Sequence, residues 1–351
     1  MIAFQVERYP SCLKHAFNGT LIARSNDGGN KHYTTIIEDN RNTNDITVDL
    51  INIYRNSSEP KSPCNISVKV LTSDGKVVDG YQNIYTNECK EDPRVFIYNN
   101  KLYLSYNIVS FKDYELINDS KSINEVENVR IGYVELDKDL KPCNEVTTFP
   151  FPTNPWEKNW LFFQHTDGIL HIIYTLYPLK IYNDIGNIIK EVEWLHPYDK
   201  QKQLLYRTSR YLNKNLNDLR YFRKASQLFY ESRFQFDIRG GSSPIFYNDM
   251  YFLFAHSREM PGAKYQFIVI VLDRDLNIYG VTNPLDPLLD TGNRIVYPAG
   301  AIFDIKTQTW IVSCGLEDEE QILVKLDNEF LMSKLICPEI LSNGDVSSRS
   351  T

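Results

Sequence analysis

Residues 92–107, DPRVFIYNNKLYLSYN, carry the pattern that decides the fold. Two runs in which apolar residues recur at short intervals flank Asn99-Asn100, a dipeptide of the kind that tolerates the positive φ angles of a tight hairpin turn. Asp92 precedes a proline, which biases its backbone towards extended geometry. The stretch therefore predicts a β-hairpin, with the carboxylates of Glu91 and Asp92 at its entrance.

The same pattern recurs along the chain, each time as two apolar runs around a short polar turn. The other four copies are residues 9–25, 159–175, 243–257 and 298–315. Further strand pairs are predicted at residues 66–78, 129–143 and 267–281, with a partial copy at residues 322–332. One hairpin plus a second hairpin makes a four-stranded unit, so the repeats predict an all-β chain built from five such units.

Five four-stranded units in one chain predict a five-bladed β-propeller with inter-blade insertions. We expect residues 1–337 to form this single domain and residues 338–351 to be a disordered tail. Residues 199–233 are an insertion with nine Lys or Arg against three acids. This basic insertion is interpreted as a solvated face, as a cap over the channel mouth, or as a subunit contact in a homo-oligomer.

Charge and composition exclude several classes of function. The net charge is −7, and this disfavours a general nucleic-acid binder or a binder of anionic membranes, since either needs a basic face. No apolar run is long enough for a membrane span, and the first residues lack the features of a signal peptide, so we expect a cytoplasmic protein. The six cysteines are scattered without a CxxC pair, which argues against a zinc site or a disulfide framework.

Inner strands of a propeller converge at one end, so residues at their entrances lie far apart in sequence and close in space. These entrances carry carboxylates, cations, glycines and aromatic rings. Carboxylates and amides bind sugar hydroxyls, and a group of cationic side chains binds phosphate by charge-assisted hydrogen bonds. The mixture predicts a site for a polyol and an anion together.

Other chemistries find little support in the sequence. The chain has no GxSxG, HExxH, P-loop or GxGxxG motif. The six histidines show no metal-ligand spacing, and we expect no metal and no cofactor. His165 and His171 are interpreted as structural residues of one hairpin. Only His256, in FAHSRE, is a candidate member of the site.

Several motifs at these entrances resemble one known family. They are EDPRVF (91–96), WEKNW (156–160), RGGSSPI (239–245) followed by FAHS (254–257), and YPAG (297–300) followed by SCGLED (313–318). Together they resemble the five-bladed propeller enzymes of glycoside hydrolase family 130, which are β-mannoside phosphorylases, and the related β-mannosyltransferases. EKNW and RGGS resemble a divergent branch found among polysaccharide-building proteins.

The resemblance implies an inverting glycosyl transfer in which Asp92 is the general acid. In the reverse direction Asp92 is the base, the donor is a sugar phosphate or a nucleotide sugar, and the acceptor is a saccharide. Such an acid needs a raised pKa, through burial or through a neighbouring carboxylate such as Glu91. The phosphate ligands it implies are Arg94, Lys158, Arg239 and His256, with Arg24 and Tyr265 as further candidates. The sugar contacts would be Glu91, Glu157, Asn159, Trp160 and Asp318.

Three readings of the site stay open from the sequence. The first is a glycoside phosphorylase or glycosyltransferase. The second is an inverting hydrolase, which needs a second carboxylate as base, and Glu157, Asp237 and Glu317 are the candidates. The third is a sugar-binding propeller without activity. The number of cations at the strand entrances favours the first reading.

Overall fold

The structure is a computed structural model of the chain. It describes residues 4–8, 16–27, 30–37, 47–56, 65–71, 77–83, 89–111, 126–149, 157–199, 235–260, 264–285, 296–316 and 320–341. Strands dominate these ranges. Most of the basic insertion of residues 199–233 lies outside them, so the three interpretations of that insertion stay predictions. None of the helical segments in the described part of the chain has the length and hydropathy that a membrane crossing needs.

The first sheet corrects one predicted turn. Its strands, in spatial order, are β3 (Asn30–Thr34), β2 (Ala16–Asp27), β5 (Thr47–Asn56), β6 (Asn65–Leu71) and β7 (Val77–Asn83). The hairpin predicted at residues 66–78 is confirmed as β6 and β7. The Asn18-Gly19 turn predicted within residues 9–25 is wrong, because both residues lie inside β2. The register against β5 shifts between Phe17 and Thr20, so Asn-Gly is accommodated as a bulge.

The second sheet contains the hairpin on which the fold prediction rests. Its strands are β8 (Cys89–Tyr98), β9 (Lys101–Phe111), β10 (Val126–Leu136) and β11 (Thr147–Thr148). Asn99 and Asn100 both have positive φ, 50° and 59°, as a two-residue hairpin turn requires. The hairpin predicted at residues 92–107 is therefore confirmed.

The third and fourth sheets confirm two more hairpins, at residues 159–175 and 243–257. The third sheet consists of β12 (Leu161–Gln164), β13 (Leu170–Leu176), β14 (Leu179–Asn183) and β15 (Ile188–Val192). The fourth consists of β17 (Gln235–Gly240), β18 (Ile245–Tyr247), β19 (Met250–Met260), β20 (Lys264–Asp273), β21 (Ile278–Thr282) and β25 (Leu335–Ile336). Strands β20 and β21 also confirm the pair predicted at residues 267–281.

The fifth sheet joins the two ends of the described chain. Its order is β1 (Phe4–Arg8), β24 (Glu320–Asp327), β23 (Thr309–Leu316), β22 (Val296–Asp304) and β4 (Ile36–Ile37). Strands β22 and β23 confirm the hairpin predicted at residues 298–315. Strand β1 pairs antiparallel with β24, and β4 pairs in parallel with β22. Segments from the start of the chain thus complete a sheet formed by its last hairpin.

Two predictions near the C-terminus need correction. Residues 322–332 were expected to return as a strand, but a helix, α1 (Asn328–Ser333), follows β24. The Asp327 side chain caps this helix by accepting from Phe330 N at 2.8 Å. The first residues of the predicted disordered tail are ordered, because β26 (Glu339–Ile340) pairs with β16 (Trp194–Leu195). Residues 342–351 lie outside the described ranges.

Aromatic and β-branched side chains fill the spaces between sheets. Phe252 of the fourth sheet packs on Trp310 of the fifth, with 4.5 Å between ring centroids, and Phe303 packs on the same ring at 4.4 Å. A second buried cluster joins the third and fourth sheets around Leu161, Ile173 and Ile268. Sheets of alternating pattern stacked through such layers make a mostly β, propeller-like arrangement.

Candidate active site

Arg94 connects four sheets at the end where their strands begin. Its Nε donates to Gly241 O at 2.8 Å, its Nη1 to Asp92 O at 2.9 Å, and its Nη2 to Asn159 Oδ1 at 3.0 Å. Nη2 also donates to the hydroxyl of Tyr297. Only 2% of Arg94 is exposed. Since every guanidinium nitrogen donates to a protein acceptor, these contacts support a positioning role for Arg94 and not the predicted role of phosphate ligand.

Asp92 lies in a β-bulge, and this corrects the extended backbone predicted for it. The ladder between β8 and β9 pairs Glu91 with Asn107 and then Arg94 with Ser105, so two residues of β8 face one residue of β9. Asp92 has φ 51°, in the left-handed region that is costly for a residue with a side chain. Asn107 Nδ2 donates to Asp92 Oδ2 at 3.0 Å. The bulge and this hydrogen bond fix the direction of the carboxylate.

One face of the fourth sheet carries a row of polar side chains. Cross-strand pairing sets Arg239 opposite His256, and it sets both Asp237 and Tyr265 opposite Arg258. Residues directly opposite, and residues two apart in one strand, share a face of a sheet. The Arg239 Nε donates to Asp237 Oδ2 at 2.8 Å. The register alone therefore brings two arginines, a carboxylate, an imidazole and a phenol together.

His256 lies at the centre of this row and is 2% exposed. Burial, followed by the positive charges of Arg239 and Arg94, lowers the pKa of His256 to about 3, while Asp92 acts weakly in the opposite direction. The imidazole is therefore neutral at neutral pH. Its ring centroid lies 4.7 Å from that of Tyr297. The field of both arginines and of Asp92 at this ring indicates that the second and fourth sheets contribute to one site.

Close packing of backbone around Arg94 depends on two glycines. A Cβ on Gly241 would meet the carbonyl oxygens of Pro298 and Phe254, and a Cβ on Gly240 would meet that of Asn159. A side chain at either position would thus push apart the strands that present carbonyl oxygens to Arg94. The RGGS sequence is required by packing at this point.

A cleft of about 260 Å³ opens between the third and fourth sheets beside these residues. Its polar lining consists of Glu157, Lys158, Asn159, Tyr174, Thr175, Asp237 and Arg239. Both signs of charge and several hydroxyl and amide groups line it. The cleft has the size and polarity that a sugar unit requires.

The carboxylate of Glu157 is fixed in the wall of this cleft. Trp160 Nε1 donates to its Oε2 at 3.1 Å, and the Tyr174 hydroxyl donates to its Oε1 at 2.8 Å. Trp160 is 2% exposed and packs against Phe162, with 6.5 Å between ring centroids. The indole is thus part of the core and acts on the site through Glu157, and the sugar contact of Trp160 stays a prediction.

Lys158 and Glu91 form an ion pair of 2.9 Å at the edge of the cleft, with 37% and 16% of their side chains exposed. This pair joins the second and third sheets. The influence of Glu91 on Asp92 stays a prediction.

Buried polar atoms near the row lack hydrogen-bond partners among the described residues. They include His256 Nδ1, Arg258 Nε and Asn107 Oδ1. Buried polar groups in proteins are nearly always paired, so a group of such atoms beside the row is consistent with a site that receives a polar ligand. The three atoms come from the second and fourth sheets, on both sides of Asp92.

No protein-family model matches the chain, and no curated protein matches it in sequence. Solved structures do match. The chain is similar to a β-1,2-mannobiose phosphorylase from Listeria innocua, with a TM-score of 0.53, 12% identity, and coverage of 95% of this chain and 94% of that one. It is also similar to a GDP-Man-dependent mannosyltransferase from Leishmania mexicana, with a TM-score of 0.53, 9% identity, and coverage of 96% and 94%. The likeness is one of fold.

The remaining predicted site residues are distributed unevenly. Tyr265 joins the row, with its ring centroid 5.4 Å from that of His256. Arg24 lies away from the row. Its side chain is hydrogen-bonded to Tyr33, and the Tyr33 hydroxyl donates to Lys138 O, near the opposite end of the sheets. Asp318 lies outside the described residues, so its sugar contact stays a prediction.

Sequence reasoning missed Asn107 and Tyr174, which hold the two carboxylates. A signal for Asn107 was present. Counting pairs outward from the Asn99-Asn100 turn in unbroken register places Asn107 opposite Asp92. For Tyr174 no local signal exists, because the strand that carries it reads as ordinary alternating sequence.

Proposed function

We propose that this protein is a carbohydrate-active enzyme on a five-bladed propeller, and that it transfers a glycosyl group with inversion, using a phosphate-containing donor or forming a sugar phosphate. The observation that carries the proposal is the carboxylate of Asp92, which is oriented by Asn107 and is close enough to His256 for its charge to act on that ring, as the charge of Arg239 also does. An oriented acid beside an anion site is what phosphorolysis and its reverse require.

In this mechanism Asp92 protonates the leaving glycosidic oxygen, directly or through a sugar hydroxyl. Phosphate attacks C1 from the other face, so the C1–O bond to the aglycone breaks as the C1–O bond to phosphate forms. In the transfer direction, Asp92 accepts the proton of the acceptor hydroxyl while the phosphate-containing group leaves. Arg94 positions the backbone of Asp92 and does not touch the phosphate.

The anion would be held by Arg239, Arg258 and Lys158, each of which carries a positive charge next to the cleft or the row. His256 is neutral, so it would contribute a hydrogen bond and no charge. Arg258 was not among the predicted ligands, and its position opposite Asp237 and Tyr265 supports its inclusion. The cleft wall of Glu157, Asn159 and Tyr174 would bind sugar hydroxyls.

The two similar folds support this class of reaction. One is described as a β-1,2-mannobiose phosphorylase and the other as a GDP-Man-dependent mannosyltransferase. One name describes a phosphorolytic reaction and the other a reaction that uses a nucleotide sugar, and both proteins have a fold similar to that of this chain. We further propose that the substrate contains mannose and that the chain belongs to a divergent branch of the mannoside phosphorylases.

A panel of β-mannosides, tested with and without inorganic phosphate, checks the proposal. A second arm supplies nucleotide sugars with saccharide acceptors. Phosphate-dependent release supports phosphorolysis, and release of nucleotide supports transfer. Asp92→Asn should lower turnover by about 10²- to 10⁴-fold, the usual contribution of a general acid. Asp275→Asn, a change of an exposed aspartate in a turn of the fourth sheet, is the matched control and should keep full activity.

Hydrolysis is the second candidate, because Glu157 and Asp237 both line the cleft. An inverting hydrolase needs such a carboxylate about 6.5–9.5 Å from the acid to activate water. Two contacts weigh against it, since Glu157 is held by two donors and Asp237 is paired with Arg239. Release of sugar in phosphate-free buffer would favour hydrolysis. Sugar binding without any turnover would indicate a binding protein.

A further inference from the structure

The turn between β12 and β13 brings three potential metal ligands together. They are His165, Asp167 and His171, whose ligand atoms all lie within 4.8 Å of one another. His165 Nδ1 lies 3.2 Å from Asp167 Oδ2, and His171 Nε2 lies 3.8 Å from the same oxygen. Two ligand atoms about 2.0–2.1 Å from one zinc ion are at most about 4 Å apart, so the 3.2 Å and 3.8 Å pairs fit one ion as they stand, and the two imidazoles need only a small side-chain adjustment to share it. The sequence shows no metal-ligand spacing here, because the three residues converge only when the hairpin closes.

Hydrogen bonds to backbone carbonyls fix the tautomer of each ring. His165 Nε2 lies 3.0 Å from Arg274 O, and His171 Nδ1 lies 3.1 Å from Ile169 O. A carbonyl oxygen only accepts, so these two nitrogens carry the protons. His165 Nδ1 and His171 Nε2 therefore carry the lone pairs, as in ligating histidines whose other nitrogen is bonded to a carbonyl. The lone pair of His165 Nδ1 accepts only a long hydrogen bond, 3.4 Å, from the Asp167 N–H, which a metal ion would replace.

Charge also favours a cation between these groups. Only 3% of His171 is exposed, so its imidazole is held in a fixed position with Nε2 towards Asp167. Asp184 adds further negative charge near His171, whereas Arg274 contributes a cation on the side of Tyr251. The Asp167 side chain is 43% exposed, which leaves a path for an ion and for water ligands.

We propose that His165 Nδ1, Asp167 Oδ2 and His171 Nε2 bind one divalent transition-metal ion of the zinc class, with water completing the coordination. Two imidazoles and one carboxylate are a donor set that such ions prefer to calcium or magnesium. The site lies at the turn end of the third sheet, while the candidate active site lies at the strand entrances. Its role is structural: it holds this turn against the Arg274 turn of the fourth sheet.

Cobalt provides the direct probe. The full chain is stripped of metal with a chelator and titrated with Co²⁺ while visible absorption is followed. A second stripped sample is loaded with zinc and passed through gel filtration, and its bound zinc is counted by mass spectrometry. We expect about one equivalent per chain, with ligand-field bands of low coordination number. Asp167→Asn should weaken binding at least tenfold, about the effect of disturbing a metal's immediate surroundings. It keeps an oxygen for the Ile169 N–H that Asp167 Oδ1 accepts at 2.8 Å.

Controls separate this site from adventitious binding. His32→Ala removes an exposed histidine and should leave the titration unchanged. Exposed Cys143 and Cys337 are replaced by serine in all samples, since thiols bind zinc. Zinc should raise the melting temperature of the parent and not that of Asp167→Asn. If that variant binds Co²⁺ as the parent does, or the parent binds none, the three residues are only a hydrogen-bonded turn.

Discussion

Asn107 holds the carboxylate of Asp92 across a β-bulge, through a hydrogen bond of 3.0 Å from Nδ2 to Oδ2. Asn107 is completely buried, and burial of its polar amide costs free energy. Asp92 has a positive φ, a backbone conformation that also costs free energy. Costs of this kind are concentrated at functional sites. The pair is therefore the part of the structure most directly connected with the proposed proton transfer.

Asn107→Ala should lower kcat about tenfold to a hundredfold and change KM little, because the carboxylate loses its fixed direction while the sugar contacts remain. Asn277→Ala is the matched control. It removes a similar contact, Asn277 Nδ2 to Asp273 Oδ2 at 2.9 Å, from a turn remote from the site. Steady-state kinetics of both variants are the measurement. Equal losses in the two variants would point to a general loss of stability.

Arg94→Lys should destabilise the protein by about 2–4 kcal/mol, because an ammonium group cannot replace the fork that satisfies carbonyl oxygens of two sheets. Denaturant unfolding followed by fluorescence measures this change. Arg274→Lys is the control, since its ion pair with Asp249 is long, 3.5 Å, and mostly exposed. Its expected effect is below about 0.5 kcal/mol. Were Arg94 a phosphate ligand instead, the lysine variant would keep its stability and lose only phosphate affinity.

Gly241→Ala should lower the free energy of unfolding by about 2–4 kcal/mol, because the added methyl group meets two carbonyl oxygens that cannot move independently. Gly132→Ala is the comparison. There the methyl group meets the ends of the Ile108 and Val146 side chains, at 2.7 Å each, which can rotate away. Thermal melting distinguishes the two. A similar, small shift for both would show that the RGGS backbone can relax.

Local pairing in the sequence was sufficient to predict most hairpins and the contents of their entrances. Alternating runs around Asn99-Asn100 and Asn248-Asp249 allow one pairing only, and both turns have the expected positive φ. Asn18-Gly19 failed because the same two residues also suit a bulge, and local sequence does not distinguish the two outcomes.

The roles of individual site residues depended on contacts between sheets, and sequence contains little information about those. Arg94 has the residue type of a phosphate ligand, yet carbonyl oxygens from the fourth sheet occupy its donors. Trp160 has the type of a sugar platform, yet the core between sheets covers it. Burial and partner identity are set by the packing of distant segments, so only the structure assigns them.

Acid should destabilise the protein through two buried histidines. The pKa of His256 is lowered to about 3 and that of His196 to about 4, in both cases mainly by burial. The unfolded chain, with pKa values near 6.5, binds protons that the folded chain does not. Stability is therefore complete above about pH 6.5 and falls as the pH is lowered towards the folded pKa values.

Between pH 7 and pH 5, each of these two histidines should remove about 2 kcal/mol from the free energy of unfolding. His256→Gln should reduce the loss between pH 7 and pH 5 by about 2 kcal/mol, the contribution of one histidine, whatever the effect of the substitution on stability at pH 7. His32→Gln, at an exposed position, should leave the loss unchanged. Urea unfolding at several pH values in phosphate-free buffer measures the slope. If the slope is the same in His256→Gln and the parent, His256 is protonated as readily in the folded chain as in the unfolded one, and its proposed neutral role at the site is wrong.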